Sequence, residues 1–385
     1  MARPTKTTKQ GRTNSSNSKK PRIRYAVVGL GYIAQIAVLP AFSKARNCEL
    51  AALVSDDNVK LEKLSRKYKV PATYSYEDFD ECLNSGEIDA VYIALPNSMH
   101  RDYTVRASEA GIHVLCEKPL AVTESECEEM ISAAANNGVK LMTAYRLHFE
   151  QANMKAVEIA QSGKLGDLRV FNSLFSMQVR EGDIRLQEDL GGGTLYDIGI
   201  YCINAARYLF QDEPIEVVGF SANNGENRFK EVDEMFSAIL RFPNERLASF
   251  TTSFGAADIS AYQIVGTEGD LKVDPAYEFA ADLKHRLTIK GKTRERSFPK
   301  RDQFAPELIY FADCVINDNE PEPSGKEGLA DVRIIRALYR SAENGKPVSL
   351  DEFEKERRPT IEQEIHEPPV KKPELVRAAT PSRED

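Results

Sequence analysis

The sequence predicts two domains: an α/β domain with a doubly wound parallel sheet, then an α+β domain with a large, open, mostly antiparallel sheet. A glycine-rich turn directly follows a short apolar strand near the start of the chain. Strands and helices then alternate up to residue 145, as is typical of parallel sheets. Beyond residue 150, short strands of alternating polar and apolar residues follow one another, which is typical of antiparallel sheets with one covered face. The 385 residues are enough for two hydrophobic cores.

The glycine-rich turn lies in residues 25–34, which read Y-A-V-V-G-L-G-Y-I-A. In such a turn the first glycine, Gly29, permits the tight bend, and the second, Gly31, lets a pyrophosphate approach the main chain. Unpaired N–H groups at the start of the next helix then face the phosphates. We therefore predict a dinucleotide-binding Rossmann domain over residues 22–145. Its predicted contacts in this turn are Gly29, Leu30, Gly31, Tyr32 and Ile33.

Alternating strands and helices continue after the turn. The predicted strands cover residues 23–28, 49–55, 89–95, 113–116 and 140–145. The predicted helices cover residues 32–45, interrupted at Pro40, then 59–69, 105–110 and 124–136. In a sheet of this kind ligands bind outside the carboxyl ends of the strands, so the residues that follow each strand are candidate site residues.

The end of the second strand distinguishes NADP from NAD, because an acidic residue there binds the ribose 2′-hydroxyl and repels a 2′-phosphate. Here the strand ends at Ser55, and Lys60 follows five residues later. A hydroxyl and a cation suit a phosphate, which favours NADP. Asp56 and Asp57 lie between them, so NAD stays an alternative, and Ser55 could also simply cap the next helix.

Residues 146–350 are predicted to form a domain that binds the substrate and supports oligomerisation. Its predicted strands cover residues 168–178, 215–221, 235–242, 247–254, 261–265, 271–273 and 287–290. Predicted helices at residues 193–210, 304–316 and 327–343 could cover one face of this sheet. The other face needs a partner, so we expect a homodimer or homotetramer.

Both ends of the chain differ in composition from the rest. Residues 1–21 are predicted to be a disordered basic tail, and residues 351–385 a proline-rich, charged, extended arm or tail. The N-terminal segment lacks the apolar region of a secretory signal, and the six cysteines show no metal-ligand spacing. We therefore expect a cytoplasmic protein with reduced thiols and no bound metal. The net charge of −8 argues against nucleic-acid binding, and no apolar run is long enough for a membrane span.

Three stretches carry candidate catalytic residues. Lys118 lies in C-E-K-P, directly after a predicted strand, where its ammonium group could hold a substrate hydroxyl. Asp197 and Tyr201 lie in G-G-G-T-L-Y-D-I-G-I-Y, four residues apart, so both side chains emerge on one helix face. Y-R-L-H-F follows the last strand of the first domain. Taken singly, these could be a turn lysine, a surface carboxylate, a core tyrosine and a structural histidine; their combination and order favour an active site.

These motifs resemble the glucose–fructose oxidoreductase/inositol dehydrogenase/rhizopine catabolism (Gfo/Idh/MocA) family, over about residues 22–350. The similar stretches include V-V-G-L-G-Y-I-A, A-L-P-N-S-M-H at residues 94–100, C-E-K-P-L-A at 116–121 and the glycine-rich motif that ends in Tyr201. Many members end that motif in histidine. Tyr201, Y-R-L-H-F and the Ser55 and Lys60 pair resemble the glucose–fructose oxidoreductase branch, in which the pair is associated with NADP.

The resemblance implies an NADP-dependent oxidoreductase that removes hydride from the anomeric carbon of a sugar, with a second sugar as a candidate acceptor. Tyr201 would be the base that takes the hydroxyl proton, Lys118 would favour its phenolate, and Asp197 would orient Lys118 or the sugar. Further implied cofactor contacts are Leu95, Pro96, Asn97, His100, Glu117, Lys118, Tyr145 and Arg146. The loops that select the sugar would include residues 172–190.

Two alternatives stay open. A dehydrogenase or reductase of an anhydrosugar, deoxysugar or diol, with freely exchanging NAD(P)(H), would use the same residues. A non-enzymatic sugar or nucleotide sensor could have the same fold, although it would not need Lys118, Asp197 and Tyr201 together.

Overall fold

The first half of the chain forms a six-stranded, fully parallel sheet. The computed structural model describes residues 21–355 and 357–382. The strand order is β3-β2-β1-β4-β5-β6. Strands β2 and β3 are therefore added on one side of β1, and β4, β5 and β6 on the other side. The bounds are β1 Ile23–Val28, β2 Cys48–Val54, β3 Ala72–Tyr74, β4 Ala90–Ile93, β5 His113–Glu117 and β6 Leu141–Ala144. The predicted parallel sheet is confirmed, and β3 is an additional short strand.

Helices connect these strands and cover both faces of the sheet. They are α1 Leu39–Ala41, which continues a π-helical turn over Ala34–Val38, then α2 Asn58–Tyr68, α3 Phe79–Asn84, α4 His100–Glu109 and α5 Glu124–Asn136. A capping box starts α5, because Thr123 accepts the N–H of Glu126 and the Glu126 carboxylate accepts the N–H of Thr123. The bounds of α5 agree with the prediction, whereas α3 was not predicted.

The second half forms a nine-stranded sheet in the order β14-β13-β12-β11-β7-β10-β9-β8-β15. All neighbours are antiparallel except β7 and β10, which run parallel. The bounds are β7 Leu168–Ser176, β8 Glu216–Ala222, β9 Met235–Phe242, β10 Arg246–Ser253, β11 Ile259–Gly266, β12 Gly269–Val273, β13 Leu283–Ile289, β14 Lys292–Phe298 and β15 Val348–Ser349. The predicted open, mostly antiparallel sheet is confirmed.

Helices cover one face of this sheet, and the described residues leave the other face open. The covering helices are α6 Gln151–Gln161, α7 Ile200–Phe210 and α9 Gly325–Asn344, and the remaining helix is α8 Phe304–Ile316. The open face carries half-exposed apolar side chains, and Phe220 on β8 is 70% exposed. Val170, Ile239, Leu247 and Ile259 are also exposed on these strands.

The position of α8 corrects one prediction. Residues 304–316 do form a helix with the predicted bounds, but it packs on the parallel sheet, not on the antiparallel one. Its main-chain carbonyls at Leu308 and Ile309 accept hydrogen bonds from Tyr25 at 3.4 Å and from Asn47 at 2.9 Å. A helix from late in the chain therefore covers the first sheet.

A buried ionic network joins α7 to α9. Arg207 is fully buried, and its guanidinium lies 2.7 Å from Asp331, 2.8 Å from Glu327 and 2.7 Å from Glu213. Buried charges need such partners, because an unpaired ion in the interior is strongly destabilising. Lys355 adds a further cation that pairs with Glu327.

The C-terminal segment is an extended arm that packs along the protein. It begins near Lys355, forms one helical turn over Ile361–Gln363, and reaches Ser382, which pairs with Val179 of the second half. The predicted N-terminal tail lies, except for Pro21, outside the described residues. Within the described ranges, no helix is long and apolar enough to cross a bilayer.

Candidate active site

The glycine turn at the end of β1 has the geometry that a dinucleotide needs. Gly29 has φ +91°, a left-handed conformation, and a Cβ there would lie 2.5 Å from the carbonyl oxygen of Ala94. A Cβ on Gly31 would meet no atom of residues 21–355 and 357–382 within 4 Å, so this glycine faces open space in the described structure. The turn therefore offers bare main chain to a pyrophosphate, and the residues present fit the cofactor.

Ser55 and Lys60 lie at the carboxyl end of β2 and in the first turn of α2. The Ser55 hydroxyl accepts the N–H of Asp57 at 3.2 Å. The carboxylate of Asp56 accepts the N–H of Tyr76 at 2.8 Å, and that of Asp57 accepts the N–H of Lys60 at 3.1 Å. Both acids therefore have main-chain partners, and Lys60 adds positive charge where a 2′-phosphate would lie.

Lys118 and Asp197 form an ion pair beside the end of β5. The Lys118 Nζ donates to Oδ1 of Asp197 at 3.0 Å and to its carbonyl oxygen at 2.7 Å. Burial opposes the charge on Lys118, but the neighbouring acidic groups, Asp197 foremost among them, together outweigh burial and raise the pKa of this lysine. Burial likewise opposes the charge on Asp197, but Arg185 and Lys118 hold the pKa of its carboxyl well below its usual range.

Tyr201 lies between cations and aromatic rings. The Nζ of Lys118 is 4.9 Å from the centroid of its ring, and the Cζ of Arg146 is 5.1 Å away. The rings of Phe175 and Tyr277 lie 5.7 and 5.8 Å from it and hold its orientation. Among residues 21–355 and 357–382, no group hydrogen-bonds the Tyr201 hydroxyl. The three predicted catalytic residues are thus in one place, with a phenol group available to a substrate.

Arg185 lies in the predicted sugar-selecting stretch 172–190, but the sequence analysis did not single it out. Its Nε donates to Oδ2 of Asp197 at 2.6 Å, and its Nη1 lies 3.1 Å from Oδ1 of Asp183. It follows β7 in a loop with single turns of 3-10 helix, and nothing in the local sequence distinguishes it from other charged loop residues. Residues 172–176 of the predicted sugar-selecting stretch belong to β7, in agreement with the strand predicted over residues 168–178, and Asn172 donates to Ser249 on the open face.

Glu307 on α8 is a second residue that was missed. It is fully buried, and neither carboxylate oxygen has a hydrogen-bond partner among the described residues. Burial, reinforced by the nearby Glu117, raises the pKa of Glu307 well above its ordinary value. Burial also raises the pKa of Glu117, which accepts a hydrogen bond from Tyr92 at 2.8 Å. The position of α8 brings the two acids together, which the sequence pattern could not predict.

Two predicted cofactor contacts, His100 and Tyr145, have side chains that are engaged within the protein. The ring of His100 is fully buried, and its nitrogens lie 2.8 Å and 3.0 Å from the carbonyl oxygens of Pro119 and Leu95, so neither is free for a nucleotide. The buried Tyr145 hydroxyl donates to Asp331 on α9 at 2.6 Å, so its side chain belongs to the core between the two halves.

The other predicted contacts lie at the carboxyl edge of the parallel sheet. Leu95 and Pro96 follow β4 and border the Gly29 turn, and Asn97 donates to the carbonyl of Gly191 at 2.8 Å. Asn97 thereby ties the first half to the glycine-rich motif of the second half. Arg146 lies against Tyr201, with its guanidinium held by the carbonyl of Tyr277 at 2.5 Å.

Two family models match the chain. Residues 23–145 match the Gfo/Idh/MocA oxidoreductase family with an NAD-binding Rossmann fold, and residues 153–272 match the C-terminal domain of the same family. An NADP(+) D-xylose 1-dehydrogenase from Haloarcula marismortui is 33% identical over 336 residues, which cover 86% of this chain and 93% of that protein. A dTDP-3,4-didehydro-2,6-dideoxy-alpha-D-glucose 3-reductase from Saccharopolyspora spinosa is 32% identical, over 76% of this chain and 87% of that one.

Solved structures agree with these matches. The aldose-aldose oxidoreductase from Caulobacter crescentus, complexed with glycerol, aligns with a TM-score of 0.82 and 36% identity, over 86% of this chain and all of that chain. KijD10, a 3-ketoreductase from Actinomadura kijaniata in complex with NADP and TDP-benzene, aligns with a TM-score of 0.76 and 26% identity, over 83% of this chain and 98% of that one.

The glycine turn, the cluster of Lys118, Asp197 and Tyr201, and these matches define the class of the protein: it is an NAD(P)-dependent oxidoreductase. The two family models span most of both sheets, and the identity to the xylose dehydrogenase extends over nearly the whole of that relative. The chain belongs to the Gfo/Idh/MocA family, as the motifs predicted.

Proposed function

We propose that the protein is an NADP-dependent aldose oxidoreductase that moves hydride between the anomeric carbon of a sugar and the nicotinamide. The observation that carries this proposal is the position of Tyr201, whose ring lies 4.9 Å from the Lys118 ammonium group while its hydroxyl has no partner among the described residues. The relatives named for xylose oxidation and for aldose–aldose exchange support the same substrate class.

The proposed cofactor is NADP. Gly29 and Gly31 would hold the pyrophosphate against bare main chain, and Ser55 and Lys60 would receive the 2′-phosphate. One oxygen of the Asp56 carboxylate already accepts the main-chain N–H of Tyr76, which leaves it less available to bind a ribose hydroxyl. When bound, the nicotinamide supplies the hydride acceptor for sugar oxidation and the hydride donor for the reverse reaction.

Tyr201 is proposed to move the proton. Its phenolate would take the proton of the anomeric hydroxyl as the C1–H bond breaks, which leaves a lactone carbonyl at C1. Lys118 would stabilise the phenolate by its positive charge, and Asp197 would hold that ammonium group in place. In the reverse direction, the protonated Tyr201 would donate to the oxygen of a carbonyl that is being reduced. A second sugar could then serve as the acceptor.

The proposal is tested by adding glucose, xylose and other aldoses to the purified protein and recording reduced-nicotinamide absorbance. The first mixture contains no added nucleotide, and a second contains NADP. A stoichiometric rise that stalls until fructose or another carbonyl is added indicates a retained cofactor and sugar-to-sugar transfer. Continuous turnover only after NADP is added indicates an exchanging cofactor. No reduction with any aldose in either mixture would contradict the proposal.

We also propose that a second copy of the chain covers the open face of the nine-stranded sheet. Phe220 and Ile239 are exposed there, beside the polar side chains of Asn172 and Thr251. An apolar patch of this kind, on an otherwise charged protein, favours an interface. A homodimer would cover it, and two such dimers could form the homotetramer.

A further inference from the structure

The C-terminal arm runs along the nucleotide-binding half of the protein, past the residues that would hold the cofactor. Lys67 of α2 donates to the carbonyl of Glu374 at 3.0 Å. The side chain of Gln35 makes two hydrogen bonds to the main chain of Val376. Its Nε2 donates to the Val376 carbonyl at 2.9 Å, and its Oε1 accepts the Val376 N–H at 2.7 Å. Leu375 and Val376 also pack on the core of the parallel sheet. These contacts fix the arm just before Arg377.

Arg377 lies at the carboxyl end of β2, where the cofactor choice is made. Its Nη1 is 3.4 Å from Oδ1 of Asp57, and its side chain is 63% exposed. An exposed ion pair at this distance is weak, so the guanidinium can turn to a stronger anion. Its main chain has φ +46°, a left-handed conformation that a non-glycine residue adopts only where neighbouring contacts hold it. Ser55 and Lys60 are at the same strand end.

After Arg377 the arm crosses to the other half of the protein. The carbonyl of Pro381 accepts the N–H of Arg180 at 3.0 Å, and Ser382 pairs with Val179. Arg180 is 3.7 Å from Asp183, which in turn contacts Arg185 beside the catalytic cluster. The arm therefore contacts both halves of the protein, at Asp57 beside the end of β2 and at Val179 and Arg180 in the loop that leads to Arg185.

We propose that the arm is a strap over the bound cofactor and that Arg377 binds the 2′-phosphate of NADP. The inference rests on the proposed cofactor. A guanidinium presents paired N–H donors that match a phosphate, so it supplies the charge that Lys60 and Ser55 alone do not. The strap would determine the preference for NADP over NAD and would slow cofactor release.

The test compares Arg377→Ala with Lys371→Ala, which removes an exposed cation from the same arm. Titration calorimetry without sugar measures the binding of NADP⁺, NAD⁺ and adenosine 2′,5′-bisphosphate, a probe that has no nicotinamide. Arg377→Ala should weaken NADP⁺ and the bisphosphate by about 10-fold or more and leave NAD⁺ within about twofold. Lys371→Ala should change none of them.

Equal weakening of NADP⁺ and NAD⁺, or no change in either, would overturn the assignment of Arg377. A second variant, Gln35→Ala, removes the two side-chain hydrogen bonds that hold Val376 just before Arg377, and its effect on the NADP⁺ to NAD⁺ ratio should disappear in the Arg377→Ala background. An unchanged effect in that background would also overturn it. If the unmodified protein binds NAD⁺ more tightly than NADP⁺, the proposed cofactor itself fails, which is a separate outcome.

Discussion

Lys118 donates to Asp197 through two contacts, 2.7 Å to its carbonyl oxygen and 3.0 Å to its carboxylate. Lys118 directly follows β5 of the parallel sheet, whereas Asp197 precedes α7 in the other half of the chain. The contact therefore joins the half with the parallel sheet to the half with the antiparallel sheet, beside the ring of Tyr201. A shift of one half would change the position of the cation beside Tyr201.

Replacing Tyr201 with phenylalanine should lower kcat by about two to four orders of magnitude, because the variant has no group to accept the hydroxyl proton. Steady-state kinetics with the best aldose measure this effect, and NADP⁺ binding should not change. Tyr196→Phe is the matched control, since its hydroxyl donates to the carbonyl of Val122 and lies one turn away. A Tyr201 variant with a nearly normal rate would contradict the proposed role.

Replacing Asp197 with asparagine should lower kcat/KM by about 100-fold and move the alkaline limb of the pH profile to lower pH. The carboxylate raises the pKa of Lys118, so without it burial lowers that pKa and the ammonium is lost sooner as the pH rises. The pH dependence of kcat/KM measures the shift. Asp197→Glu keeps the negative charge, so its alkaline limb should lie closer to that of the unmodified protein. An alkaline limb that does not move in Asp197→Asn would contradict the proposed effect of Asp197 on Lys118.

Asp233 should make the protein less stable as the pH rises. Burial raises the pKa of its carboxyl from 3.8 to about 6, so the folded state holds a proton that the unfolded state releases. The stabilising contribution of the protonated Asp233 is complete below the ordinary pKa of 3.8 and is lost as the pH rises through about 6. Asp233→Asn should therefore raise Tm relative to the unmodified protein more at about pH 7.5 than at about pH 5.

Thermal unfolding at the two pH values measures the difference. The control is Asp189→Asn, which changes an exposed carboxyl and should shift Tm equally at both. A gain in Tm from Asp233→Asn that does not depend on pH would contradict the account of Asp233.

Replacing Phe220 with lysine should separate the proposed dimer into monomers. Phe220 is 70% exposed on the open face, and a charge there would have to be buried in the interface. Light scattering on a sizing column gives the mass directly. Glu109→Lys, on the exposed surface of α4, is the control and should leave the mass unchanged. A Phe220 variant with the same mass as an oligomeric unmodified protein would place the interface elsewhere.

Local patterns predicted much of the fold. The apolar run before Gly29 and the helix-compatible residues 124–136 are each contained in a short stretch, so β1 and α5 were predicted with their observed bounds. By contrast, β3 has only three residues, and β14 at the sheet edge has charged and exposed side chains along most of its length. Neither strand shows an alternation of apolar and polar residues that would distinguish it from a loop.

The site was predicted where motifs carry it and missed where distant segments meet. Lys118, Asp197 and Tyr201 lie in compact motifs, and the structure brings them together. Arg185 reaches Asp197 from a loop, and Arg377 reaches Asp57 from a proline-rich arm, in which no periodicity indicates a contact. The partners of Arg185 and Arg377 depend on tertiary packing, which the local patterns of a single sequence do not reveal.

The most direct test of the central claim uses an aldose that carries deuterium at C1. After a single turnover with NADP⁺, mass spectrometry of the reduced cofactor shows whether the label has moved. The account predicts one deuterium in the reduced nicotinamide and a lactone or its hydrolysis product from the sugar. In Tyr201→Phe, neither the labelled cofactor nor the oxidised sugar should form on the same time scale. Reduced cofactor without label would show that the hydride comes from another carbon and would contradict oxidation at the anomeric centre.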